Sequence, residues 1–89
     1  MRELLIEKWT EPTEIQRYIG NSIYFWRNDL GEAHRDGDQP AIIWSDGSRW
    51  WYKKGELHRE GNKPAIIRND GEFSRLEFWE NGNFIKQII

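Results

Sequence analysis

The segment Gly31–Lys54 is followed without a break by a near copy of itself, Gly55–Phe78, offset by 24 positions. The strings GEAHRDGDQPAIIWSDG (31–47) and GELHREGNKPAIIRNDG (55–71) agree at eleven positions: Gly, Glu, His, Arg, Gly, Pro, Ala, Ile, Ile, Asp and Gly. A fixed period in the twenties constrains the fold strongly, because each unit is one small supersecondary element stacked on its neighbour. Most of the conspicuous residues then belong to the scaffold.

Each unit reads as a hairpin. Ala41-Ile42-Ile43-Trp44 is a short apolar run of β-formers that meets Ser45-Asp46-Gly47-Ser48, and Asp-Gly between apolar runs is a strong hairpin signal with positive φ at both central positions. The chain returns through Arg49-Trp50-Trp51-Tyr52 and turns again at Lys53-Lys54-Gly55-Glu56. The second unit repeats this through Ile66-Ile67-Arg68 and Asn69-Asp70-Gly71. Asp46 to Gly55 spans nine positions but Asp70 to Gly82 spans twelve, so the last return strand is longer or carries a bulge. Pro40 and Pro64 mark strand starts, where a missing amide donor is tolerated. Gly37, Gly47, Gly55, Gly61, Gly71 and Gly82 fall at turns, and no phosphate-cradling Gly-rich loop is present.

A degenerate unit precedes these two. Ile19-Gly20-Asn21-Ser22 reads as a type II′ turn joining Glu14–Ile19 to Ser22–Arg27, Tyr24-Phe25-Trp26 matches Trp50-Trp51-Tyr52 in character, and Ile6–Trp9 echoes Leu76–Trp79. Thr10-Glu11-Pro12-Thr13 is also compatible with a helix start, but Ile15, Arg17 and Ile19 alternate with Gln16 and Tyr18, which favours a strand. The expected architecture is all-β: one domain over 1–89, a twisted antiparallel meander of seven or eight short strands. It contains clear repeats at 31–54 and 55–78, a degenerate unit at 1–30 and a partial unit at 79–89.

Composition limits the remaining options. Eleven Ile, no Val and six Trp place core volume in a few large side chains, and the absence of Cys excludes disulfides and thiolate metal sites. The net charge of −2 argues against avid general binding to nucleic acid or anionic membrane. Charge is nonetheless uneven, with six Lys or Arg between Arg49 and Arg68 against Glu56 and Glu60. The N-terminal MRELLIEKW has no leader or membrane-span character, so a cytoplasmic protein is expected.

The string G-x-x-H-R-x-x-G-x-x-P-A, then D-G, then aromatics and a further Gly, resembles the MORN-like repeats of bacterial, phage and large-virus proteins. His34-Arg35 and His58-Arg59, Pro40-Ala41 and Pro64-Ala65, Asp46-Gly47 and Asp70-Gly71, and Trp51-Tyr52 carry the resemblance. Two departures are the insertions Asp38-Gln39 and Asn62-Lys63 and the missing Trp-Tyr pair of the second unit. The resemblance implies an open sheet of successive hairpins and no activity, because such repeats serve as interaction and scaffolding modules.

His34 and His58 recur at equivalent places, each followed by Arg. A catalytic histidine would meet its partners once, so the repeated pair reads as structural: each His bonded to backbone, and each Arg (Arg35, Arg59) on an aromatic face or paired with a carboxylate such as Asp46 or Asp70. The alternation His34-x-Asp36-x-Asp38 could place three metal ligands on one face, but His58, Glu60 and Asn62 make a poorer second set. No catalytic residue, cofactor or metal is expected. Binding potential sits in Trp44, Arg49, Trp50, Trp51, Tyr52 and Lys53. Adjacent strand residues point to opposite faces, so one of Trp50 and Trp51 is presented outward, and an exposed Trp beside Arg suits an interface. A 24-residue offset aligns Ser74 and Arg75 with Trp50 and Trp51, which restricts this surface to the first unit.

The function expected is that of a non-enzymatic interaction protein whose partner is another protein, in one specific form a phage-type inhibitor of a host enzyme or defence system, acting in the host cytoplasm. Two alternatives stand beside it. Aromatic rings in the basic 49–68 stretch suit single-stranded nucleic acid, and exposed edges or an aromatic face suit self-assembly, including a homodimer.

Overall fold

The computed structural model describes residues 10–70 and 73–89, so Ile6–Trp9 and Gly71 lie outside the described residues. All regular structure in it is β: β1 (Glu14–Tyr18), β2 (Asn21–Phe25), β3 (Ile42–Ile43), β4 (Arg49–Trp50), β5 (Tyr52–Lys53), β6 (Glu56–Leu57), β7 (Ile66–Asp70), β8 (Phe73–Glu80) and β9 (Asn83–Ile88). Every pairing is antiparallel. Among the described residues no helix is long and apolar enough to cross a membrane.

Among the described residues the strands number nine and do not form one continuous meander. Seven make a sheet in the order β1-β2-β3-β4-β7-β8-β9, while β5 and β6 form a separate two-stranded ribbon. Trp51 marks the break. Its amide donates to the Ala65 carbonyl at 2.7 Å and its carbonyl accepts from the His58 amide, so the chain leaves the sheet there and turns into the ribbon. The stretch 10–19 resolves as strand over Glu14–Tyr18, as the alternation of Ile15 and Arg17 requires.

The core follows the repeat. Ala41, Ile42, Ala65 and Ile66 are buried, together with Trp26 and Trp51. Phe25 pairs with Ile42, and Trp50 pairs with both Ile42 and Ile66, which in turn faces Glu77. Phe25, Trp50 and Glu77 are therefore structural equivalents, and so are Trp26, Trp51 and Phe78. The simple 24-residue alignment of Trp50 with Ser74 is thus corrected: the additional residues of the last unit enter before this point. They give an eight-residue β8; the register shift opposite Phe78 and Trp79 is separate and skips Ile85 of β9.

The turns correct two expectations. Asn21 pairs with Tyr18, so the first loop is Ile19-Gly20, with Gly20 at φ 75°, rather than Gly20-Asn21. Positive φ at the second central position alone is the type II pattern. At Asp46-Gly47 only Gly47 takes positive φ, 91°. Its amide donates to the Trp44 carbonyl and the Trp44 amide donates to Ser48, a three-residue loop ending in a left-handed glycine. The double positive-φ turn occurs instead at Lys54-Gly55 (51° and 82°) and Asn81-Gly82 (49° and 81°).

Candidate functional site

The His-Arg motif builds the joints between units. His34 Nδ1 accepts the Lys54 amide at 2.9 Å and His58 Nδ1 accepts the Asn81 amide at 3.0 Å. Each ring therefore carries its proton on Nε2, which donates to Asp36 or Glu60. The amides belong to the double positive-φ turns, so each histidine holds the turn that follows its own segment.

The arginines work in the same repeated way. The Arg35 guanidinium lies 3.8 Å from the Trp26 ring and that of Arg59 lies 3.8 Å from the Trp51 ring. Their Nη1 atoms donate to the carbonyls of Pro40 and Pro64, both at 3.2 Å. Prolines at these positions thus leave a carbonyl aimed at the guanidinium while removing an amide the sheet does not use. Arg59 also forks onto Asp38, through Nε at 2.8 Å and Nη2 at 3.3 Å. Asp38 is thus a carboxylate on Arg59, in place of the expected Asp46; the side chain of Asp70 lies outside the described ones. Asp46 caps its own turn by accepting the Ser48 amide at 2.8 Å, and Asp70 closes the second hairpin opposite Phe73.

Asp38, which the sequence offered only as a possible metal ligand and as part of an insertion, joins the two units instead. Its backbone sits at φ 58°, its carbonyl accepts the Trp51 indole N–H at 3.1 Å, and its carboxylate also takes Lys63 at 2.9 Å. The Arg59 hydrogen bond, with help from Lys63, outweighs partial burial and holds this carboxyl at about 2 against an ordinary 3.8. A depressed native pKa contributes stability that is complete above the unfolded value and lost as pH falls through the native one. The urea midpoint is therefore expected to fall between pH 4 and pH 2, and Asp38→Asn to flatten that slope. The side chain is 42 % exposed, so screening makes the effect modest and added salt shrinks it. An unchanged slope in the variant refutes the assignment.

The expected binding residues divide between two faces. Trp51 is 5 % exposed and belongs to the core, which removes it from the presented surface. Its opposite-facing neighbour Trp50 is half-buried and flanked on both sides. Trp44 packs against it at 5.0 Å between ring centroids, Tyr52 stacks at 6.4 Å, and the Arg68 guanidinium lies 5.4 Å from its ring. Lys53 lies on the β5–β6 ribbon, bonded to Glu60 at 3.4 Å, and Arg49 points to the other side of the sheet from Trp50.

Trp44 and Arg68 are repeat equivalents, 24 positions apart, and they bracket Trp50 because β3 and β7 bracket β4. Arg68 was legible from that offset once Trp50 was singled out. Its Nε donates to Glu77 at 2.8 Å. Burial pushes the Glu77 carboxyl up, but the bonds from Arg68 and Trp79 prevail and hold it below the usual range, so Arg68 is braced by an ionised partner. Burial alone raises the Tyr52 phenol. Between Trp44, Asp46, Ser48, Trp50 and Arg68 lies a shallow cleft of about 280 Å³.

A larger groove of about 430 Å³ runs between the two His-Arg loops, lined by His34, Asp36, Tyr52, His58, Arg59 and Lys63. Its charged groups are committed to one another. The histidines hold Asp36 and Glu60 while Asp38 holds Arg59 and Lys63, so these pairings tie the two loops together across it. Among the described residues no group of three potential metal ligands occurs; His34 and Asp36 face each other, and Asp38 turns to the next unit. Comparison with family models, with curated proteins and with solved structures returns no match.

Proposed function

We propose that this chain is a non-catalytic interaction module of MORN-like repeats that binds another protein through the Trp44–Trp50–Tyr52 ladder and Arg68. The observation that carries this reading is the state of Trp50: a half-buried indole held between a second Trp and a guanidinium that is itself braced by Glu77. A large aromatic anchor of fixed geometry loses little freedom on binding, and Trp and Arg dominate interface energetics. The scaffold does not need Trp here, because Phe25 and Glu77 fill the equivalent places. Inhibition of a host enzyme or defence system is the specific form that the repeat type suits.

Trp50→Ala is expected to weaken partner binding by about 30-fold or more, the ~2 kcal/mol of a hot spot, with the circular dichroism spectrum retained. The measurement is capture from host lysate with wild-type, Trp44→Ala and Trp50→Ala baits, followed by titration of the captured protein. Equal retention by folded variants refutes the ladder. A single-stranded nucleic acid is the second reading, favoured by aromatic rings in a row beside Arg68 and opposed by the net charge of −2. It predicts nuclease-sensitive capture that weakens steeply with salt.

A further inference from the structure

The sheet face opposite the ladder carries a row of directly paired side chains: Ile15, Tyr24, Ile43, Arg49, Ile67 and Leu76. Paired residues of an antiparallel sheet share a face, so these six form one band across it. Five are apolar or aromatic and half-buried, while Arg49, at the centre, is exposed.

Arg49 breaks the pattern of its own repeat. Its structural equivalents, each one residue before Phe25, Trp50 and Glu77, are Tyr24 and Leu76, so the scaffold accepts an apolar side chain at this place. Arg27, Arg59 and Arg68 are each held by a carboxylate. Among the described residues Arg49 has none; its guanidinium only approaches the Trp51 ring, at 5.7 Å. A cation without an anion, set between Ile43 and Ile67, is complementary to an anion flanked by aliphatic groups.

We propose that this band is a second docking surface, which receives a polypeptide segment bearing a carboxylate between aliphatic side chains, with the carboxylate on Arg49. Guanidinium binds carboxylate in a two-point fork, and the aliphatic flanks exclude the water that weakens an exposed pair. A nucleic acid fits less well, because the residues beside Arg49 are Ile and not the aromatic rings on which bases stack. The surface is independent of the ladder, so a chain that uses both would join two partners.

The test is selection of a random twelve-residue phage-displayed peptide library on the full-length chain, followed by titration of synthetic selected peptides. Selected peptides with Asp or Glu between aliphatic residues are expected, with affinity at least tenfold lower for Arg49→Glu and unchanged for Trp50→Ala. Replacing the peptide carboxylate by Lys is expected to restore binding to Arg49→Glu, which a folding defect cannot do. Acid-free selected peptides, loss confined to Trp50→Ala, failure of the charge swap, or Arg49-dependent binding of an oligo-dT probe instead of peptides would each overturn the proposal. Loss of ladder binding with the charge swap intact would sink only the function proposed above.

Discussion

Trp51→Ala is expected to leave the chain largely unfolded at 37 °C, whereas Trp50→Ala, one residue away, keeps the fold. Trp51 is 5 % exposed, and truncating a buried Trp costs about 3–5 kcal/mol. Typical stabilities of about 0.05–0.15 kcal/mol per residue make that loss a large share of the total for a chain this small. The truncation also strips the Arg59 guanidinium of its ring and the Asp38 carbonyl of its indole donor. Far-ultraviolet circular dichroism against temperature separates the two variants. A Trp51→Ala midpoint within a few degrees of wild type would place the weight of the fold elsewhere.

Arg59→Ala is expected to cost about 3 kcal/mol, read as a lowered urea midpoint at unchanged slope. The side chain stacks on Trp51, satisfies the Pro64 carbonyl and forks onto Asp38. A partly desolvated cation–π contact contributes roughly 1–2 kcal/mol, and hydrogen bonds to a charged group about 1.5–3 kcal/mol. Arg59→Lys is expected to recover little of this, because an ammonium neither stacks as a plane nor reaches three acceptors in fixed directions. Full recovery by Lys would reduce the role of Arg59 to charge alone.

The contrast between Trp50 and Trp51 shows how far sequence reasoning reaches. Period two requires the pair to point apart, and the repeat requires one member to serve the scaffold. Which of them does so depends on where the sheet breaks, and that is set by hydrogen bonds from Trp51 to Ala65 and His58, more than a hairpin away. The strand over Glu14–Tyr18 was legible from local alternation, as was the lengthened or bulged last return strand from the Asp-to-Gly spacing. Turn types were less legible. Asp-Gly was expected to supply two positive-φ positions, yet Lys54-Gly55 takes them, because the acceptor that fixes its amide is His34, 20 residues earlier. The joining role of Asp38, which the sequence offered only as a possible metal ligand, was invisible for the same reason: its partners Trp51, Arg59 and Lys63 all lie in the next stretch of chain. Arg49 and Trp50 were read as one surface, since only strand register separates adjacent residues onto two faces.

The histidine bonds run in one direction along the chain. His34 is completed by the amide of Lys54, the residue that ends its own unit, and His58 by the amide of Asn81 at the corresponding turn, so each ring is filled only when the chain has come round to the close of the unit it begins. Synthesis from the N-terminus thus delivers each ring about 20 residues before the amide that fills it. An array wired this way lengthens by duplication without redesign. An inserted copy carries both its own ring and the amide that fills it.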